Sequence, residues 1–236
     1  MYQGVYGDKR YHEPDLAAVL ERAWAAGVER IIVTGGSLEG SRAALALART
    51  DRRLFSTVGV HPTHSGDFDA HAGGADVLLA ELRALLEDGR RDGKVVAVGE
   101  IGLDYDRLHF CDAAAQRRGF EAQLGMARAA GLPLFLHMRA AAADFVDIMR
   151  RHHAASPGSG GSLGGRQVGG VVHSFTGTVA QLGELLALQP QLAIGVNGCS
   201  LKTEENLAAV AAIPMDRLLI ETDSPWCWRL WAGAAE

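Results

Sequence analysis

Five side chains able to bind a metal ion or move a proton each follow a short apolar run. His61 ends Ser56-Thr57-Val58-Gly59-Val60-His61, Glu100 ends Val95-Val96-Ala97-Val98-Gly99-Glu100, and His137 ends Pro133-Leu134-Phe135-Leu136-His137. His173 ends Gly170-Val171-Val172-His173, and Asp223 closes Leu218-Leu219-Ile220-Glu221-Thr222-Asp223. The separations are 39, 37, 36 and 50, and the longest interval holds one more apolar run, ending at Asn197. Carboxylates and imidazoles in this mixture suit zinc, manganese or similar divalent ions. Taken singly, each has an ordinary explanation: a histidine after an apolar run is commonly a satisfied structural residue, and an acid there often caps the next helix. As a set they make a metal site, provided the fold brings five strand ends together.

The elements between them predict such a fold. Short β-branched runs near 30–34, 54–59, 95–99, 134–137, 170–173, 192–196 and 218–221 alternate with Ala/Leu/Arg-rich stretches. Those stretches read as helices over 15–26, 39–49, 77–90, 113–130, 141–153, 180–188 and 204–211. This alternation signals a parallel α/β fold. Pro14 and Asp15 open the first helix and Gly27 ends it, as the asymmetry of helix termini favours. The run Arg30-Ile31-Ile32-Val33-Thr34 is too apolar for one wet face, so a central strand is expected there. A length of 236 residues fits one TIM-like (β/α) barrel, in which the carboxyl ends of all strands converge on the face that carries the active site. A closed barrel needs eight strands and eight helices. The expectation is therefore a single barrel domain over 1–236 that lacks the first strand and the last helix, with 156–168 as a flexible connection.

Composition removes several function classes. Hydrophobic residues make up 48% and charged residues 22%, with a net charge of −5. Such a chain has material for a core and no broad basic surface for coating nucleic acid, though it can hold a few phosphates locally. The glycine-rich segment Ser156–Gly165 lacks the Gly-Lys-Ser/Thr ending of a phosphate loop, and Thr34–Gly40 has Ser37 where a dinucleotide fingerprint wants glycine. No nucleotide cofactor is expected. Cys111, Cys199 and Cys227 are odd in number and widely spaced, which gives no disulfide framework and makes a reducing compartment the default. No apolar run reaches the ~18 residues needed to span a membrane. The protein is thus expected to be intracellular, nuclear or cytoplasmic, with no membrane partner.

At the strand ends the chain resembles the TatD family of metal-dependent deoxyribonucleases, nearest its eukaryotic TatD domain-containing protein 1 subgroup. The resembling stretches include Gly59-Val60-His61-Pro62, Gly99-Glu100-Ile101-Gly102-Leu103-Asp104-Tyr105, Leu134-Phe135-Leu136-His137 and Val171-Val172-His173-Ser174-Phe175-Thr176-Gly177. They continue in Ile194-Gly195-Val196-Asn197-Gly198-Cys199-Ser200 and Ile220-Glu221-Thr222-Asp223-Ser224-Pro225-Trp226. The resemblance implies a DNA substrate, cleavage as an exonuclease at 3′ ends, and two divalent ions drawn from Mg, Mn or Zn. It makes Glu100, His137, His173 and Asp223 the metal-site residues, with Glu100 able to bridge two ions. It makes Asp223 the aspartate that holds a metal-bound water and accepts its proton, and His61 a contact to a substrate phosphate. Asp104 and Asn197 line the same face as further substrate contacts. The family's usual first strand, with its own metal-site groups, would precede Met1, and 226–236 does not match the family's closing segment.

Two other readings remain. An amide or lactone metallohydrolase would use a similar barrel, commonly with a bridging carboxylated lysine, but Lys9, Lys94 and Lys202 all lie away from strand ends. A catalytically impaired product acting as a binding or regulatory protein would follow from the missing first strand.

Overall fold

The computed structural model describes residues 5–6, 9–154, 162–163, 166–167, 169–189 and 191–224. They fall into two compact units, 1–31 and 32–236. In the first, β1 (Val5–Tyr6) and β2 (Lys9–Arg10) pair antiparallel, and α1 (Leu16–Ala25) follows. Gly27 ends that helix with φ 89°.

β3 (Ile31–Val33) spans the division and leads into α2 (Leu38–Ala48), β4 (Leu54–Val58), α3 (Asp67–Ala70), α4 (Gly74–Arg91) and β5 (Val95–Asp104). Next come α5 (Ala113–Ala130), β6 (Leu134–Arg139), α6 (Ala142–Ala154), β7 (Ser162–Leu163), β8 (Arg166–Gln167) and β9 (Gly170–Val172). α7 (Val179–Leu186), β10 (Leu192–Val196), α8 (Glu204–Ala211) and β11 (Leu218–Ile220) complete the described chain. Seven strands form one sheet in the order β11-β10-β9-β6-β5-β4-β3. All five pairings from β4 across to β11 are parallel. These are the expected seven strands of a TIM-like (β/α) barrel, each of the first six followed by a helix.

The core lies between this sheet and its helices. Leu82 and Leu86 of α4, Phe120 and Leu124 of α5 and Phe145 of α6 are each no more than 1% exposed, and burying such a side chain contributes roughly 1.5–3 kcal/mol. α5 shows why its sequence is a helix of that length. The Asp112 carboxylate accepts from Ala115 N–H at 2.8 Å at one end, and Gly131 turns left-handed with φ 63° at the other. Capping of both kinds satisfies backbone groups that a helix leaves open.

Two local expectations are corrected. β3 is an outer strand of the sheet with β4 as its neighbour, not a central one, and Ile32 is 53% exposed. An all-apolar run marks a buried strand only when neighbours cover both its sides. β5 does not stop at Gly99: it continues to Asp104, so Glu100 and Asp104 share one strand. The ladder shifts register between Val98 and Ile101, where Gly99 and Gly102 allow close approach. At Gly102, φ is 143° and an added Cβ would lie 1.9 Å from the His137 carbonyl oxygen. Cys111 is a buried free thiol. Within the segment 156–168, β7 and β8 pair antiparallel; the rest of it, like 225–236, lies outside the described residues.

Candidate metal centre

Strands β4, β5, β6, β9, β10 and β11 carry the candidate residues in their carboxyl halves or just beyond their carboxyl ends. Glu100 sits in the middle of them. Its Oε1 lies 2.7 Å from His173 Nε2, 2.9 Å from His137 Nδ1 and 3.5 Å from His61 Nε2. The other nitrogen of His137, Nε2, lies 3.2 Å from Asp104 Oδ2. Two overlapping groups result, Glu100–His137–His173 and His61–Asp104–His137, each with potential ligand atoms within 4.8 Å of one another. The rings support one another: His61 meets His137 edge-on at 4.7 Å between centroids, and His173 stacks on Phe135 at 4.6 Å.

Asp223 joins through an intermediary. The Asn197 side-chain amide donates to Ser174 Oγ, and the Ser174 hydroxyl donates to Asp223 Oδ2 at 3.4 Å. Asn197 Oδ1 accepts from Cys199 N–H at 2.8 Å, so its amide is engaged by protein at both ends and braces Ser174. Ser174 and Asp223 both have positive φ, 49° and 50°. Non-glycine residues in that region carry strain on the order of 1–3 kcal/mol, and such strain concentrates at functional sites.

Two participants were not assigned roles from sequence. Glu221 accepts from the Ser174 backbone N–H and lies 3.7 Å from His173 Nδ1. Its carboxylate covers Gly195, where a Cβ would come within 2.7 Å of Oε1. Ser174 links Asn197, Glu221 and Asp223. The i, i+2 spacing of Glu221 and Asp223 was the available signal, since alternate residues of an extended chain share a face.

The electrostatics follow from burial and neighbours. Burial alone would raise the Glu100 carboxyl, but His173 and His137 together outweigh it and hold Glu100 well below the usual carboxylate range. Asp104 follows the same pattern, with His137 overcoming burial to lower it. For His137, burial opposes the charged ring, yet the hydrogen bonds to Asp104 and Glu100 push it up to about 9. Glu100 likewise overcomes burial at His173 and raises it. His61 goes the other way: burial pushes it down to about 4, so its ring is neutral. Burial raises Glu221 and Asp223.

The donor set fits a divalent cation. One carboxylate and two imidazoles converge, and the imidazolium of His137 between two carboxylates supplies the positive charge that the cluster lacks. His61 differs from the other rings. Its Nδ1 lies 2.7 Å from Thr63 Oγ1 and accepts from Thr63 N–H at 3.2 Å; with Nδ1 so engaged, the neutral ring is assigned its proton on Nε2, 3.5 Å from Glu100 Oε1. A ring held in that tautomer donates to an anionic oxygen more readily than it ligates a cation.

Comparison with known proteins agrees with this architecture. "Deoxyribonuclease Tat-D" of Schizosaccharomyces pombe is 44% identical over 227 residues, covering 96% of this chain and 69% of that protein. "3′-5′ ssDNA/RNA exonuclease TatD" of Cronobacter turicensis is 38% identical over 213 residues, covering 90% of this chain and 73% of that protein. The crystal structure of an uncharacterized amidohydrolase from Saccharomyces cerevisiae superposes with a TM-score of 0.85 at 38% identity, covering 96% of this chain and 73% of its own. Residues 6–231 match the family described as TatD related DNase, and the chain belongs to that family.

Proposed function

We propose that this chain is a metal-dependent deoxyribonuclease that hydrolyses DNA phosphodiester bonds from 3′ ends. The observation that carries the reading is Glu100 Oε1 within 3.5 Å of three imidazoles on three other strand ends. Glu100, His137 and His173 would hold one divalent ion, and Asp104 or Asp223 would contribute to a second, with Mg, Mn and Zn as the candidates. When bound, such ions neutralise phosphodiester charge and lower the pKa of water enough to supply hydroxide near neutral pH.

The chain's own residues do the rest. His61 donates from Nε2 to a phosphate oxygen, where a donor aimed at developing negative charge is most useful. Asp223, raised by burial and held by Ser174, is a stronger base than an ordinary aspartate and takes the proton from the attacking water. The polarity of cleavage rests on the name of the Cronobacter relative. A carbonyl-cleaving barrel built around a bridging lysine finds less support: Lys94 Nζ donates to the carbonyls of Asp51 and Leu54 at 2.8 and 2.9 Å, at the opposite end of β5 from Glu100. No described helix is long and apolar enough to cross a membrane, and an intracellular setting, nuclear or cytoplasmic, belongs to the same reading.

The test is digestion of single- and double-stranded DNA, labelled at either end, by metal-loaded protein with an EDTA control. Stepwise loss from the 3′ end, abolished by EDTA, is expected. Metal-independent cleavage, or none with any of the three metals, overturns the proposal.

A further inference from the structure

α5 carries two glutamines in positions where apolar residues would be expected. Gln116 and Gln123 are 0% and 1% exposed, and their spacing of seven puts them on one helix face, two turns apart. Neither amide is spent on the helix alone. Gln116 Oε1 accepts from Asp104 N–H at 2.8 Å, and Gln116 Nε2 donates to the Asp104 and Cys111 carbonyls, both at 2.9 Å. Gln123 Oε1 accepts from Val60 N–H at 2.7 Å, and its Nε2 donates to the Val60 and Gly119 carbonyls at 3.1 and 3.0 Å.

Each side chain therefore grips both the N–H and the C=O of one strand-end residue, as a neighbouring strand would. The reason is visible in the sheet. The β4–β5 ladder ends at Val58–Val98, whereas β5 runs on to Asp104 and pairs there with β6 alone. Of the backbone groups in that overhang, Glu100 N–H is taken by the Gly35 carbonyl; without the glutamines those of Asp104 would be buried unpaired on the β4 side, and so would those of Val60 beyond the end of β4. The clamped residues are Asp104 itself and the residue before His61. Asp104 belongs to the His61–Asp104–His137 group and Val60 adjoins His61 of that group in the chain; neither clamp touches Glu100 or His173.

We propose that Gln116 and Gln123 are positioning residues that set Asp104 and His61 against the metal centre, so that α5 holds one side of the site without touching Glu100 or His173. The proposal rests on the functional reading above. Gln123 acts through His61 on substrate phosphate, and Gln116 acts through Asp104 on His137 Nε2. The two substitutions therefore have different signatures.

The experiment compares wild type, Gln116→Met, Gln123→Met and Leu124→Ala, a core change on the same helix. It measures thermal melting, Mn²⁺ titration of metal-depleted protein, and cleavage of end-labelled single-stranded DNA. An error of ~1 Å in such a site reduces a rate about a hundredfold, and a smaller displacement is expected to give about tenfold. Gln123→Met raises KM by that factor with Mn²⁺ affinity retained, whereas Gln116→Met weakens Mn²⁺ binding. Leu124→Ala lowers the melting temperature and changes neither. If a methionine variant does not fold, Gln116→Glu or Gln123→Glu replaces it: burial keeps the carboxyl protonated, so the shape and the N–H acceptor remain and one of the two donor hydrogens to the carbonyls is lost. Folded variants that melt earlier but keep wild-type KM and Mn²⁺ affinity show a purely structural role and overturn the clamp. A wild type that neither binds Mn²⁺ nor cleaves DNA overturns the functional reading and, with it, the clamp.

Discussion

Replacing Glu100 by glutamine keeps the side chain's shape and removes one charge from the middle of the site. In the metal-free protein its Oε1 receives two close contacts, from His173 Nε2 at 2.7 Å and His137 Nδ1 at 2.9 Å. A hydrogen bond to a charged group contributes about 1.5–3 kcal/mol, against about 0.5–1.5 for a neutral one. The change therefore removes about 1–2 kcal/mol per contact, before the lost attraction for a divalent ion is counted. Removing one partner of a buried charge pair costs about 3–5 kcal/mol because the other charge is left uncompensated, and we take the loss of the Glu100 charge opposite a divalent ion to be of that size. At 1.4 kcal/mol per factor of ten, that is a loss in metal affinity of roughly a hundred- to a thousandfold or more. Cleavage at fixed, subsaturating metal falls at least as far. The assay titrates Mn²⁺ into metal-depleted wild type and Glu100→Gln, then follows end-labelled DNA in the same buffers. Circular dichroism verifies that the variant is folded. A folded Glu100→Gln protein that binds Mn²⁺ as tightly as wild type and cleaves at the same rate would remove Glu100 from the ligand set.

His61→Ala leaves Mn²⁺ affinity within about threefold but lowers kcat/KM by about 10–100-fold, the worth of one hydrogen bond to a charged phosphate oxygen; titration and kinetics on the same sample check the split. In EDTA, the two perturbed imidazoles give stability opposite pH slopes. His137, raised to about 9, contributes stability that is complete below its ordinary value of about 6.5 and is lost as pH rises through 9. His61, lowered to about 4, contributes stability that is complete above about 6.5 and is lost as pH falls through 4. Melting temperatures of metal-free His137→Gln and His61→Gln against pH isolate each arm: the first flattens the alkaline limb, the second the acid limb. Shortening 158–165 by several residues leaves melting temperature and Mn²⁺ affinity nearly unchanged, because its glycines and serines bring little apolar surface to offset about 1–2 kcal/mol of backbone ordering per residue.

The site was legible where one residue type at one strand end carried the signal, and illegible where chemistry depends on how strands align. Glu100, His137 and His173 stood out because a charged or titratable group interrupts an apolar run, and the parallel sheet brings such interruptions to one edge. Their roles could not be ranked from spacing. Spacing treats His61 and His137 alike, yet burial keeps one ring neutral while two carboxylates charge the other. β5 was read five residues short because an acid after a glycine looks like the end of a strand. The overhang that this hid places Asp104 opposite Arg139 and creates the gap that Gln116 fills. Gln116 and Gln123 themselves lie among Ala115, Phe120, Leu124 and Ala127 on the buried face of α5. What their amides bind shows only once β5 is seen to run past the end of β4. Side chains that touch the ion or the substrate thus declare themselves by type, whereas those that hold them declare themselves only through the backbone they bind.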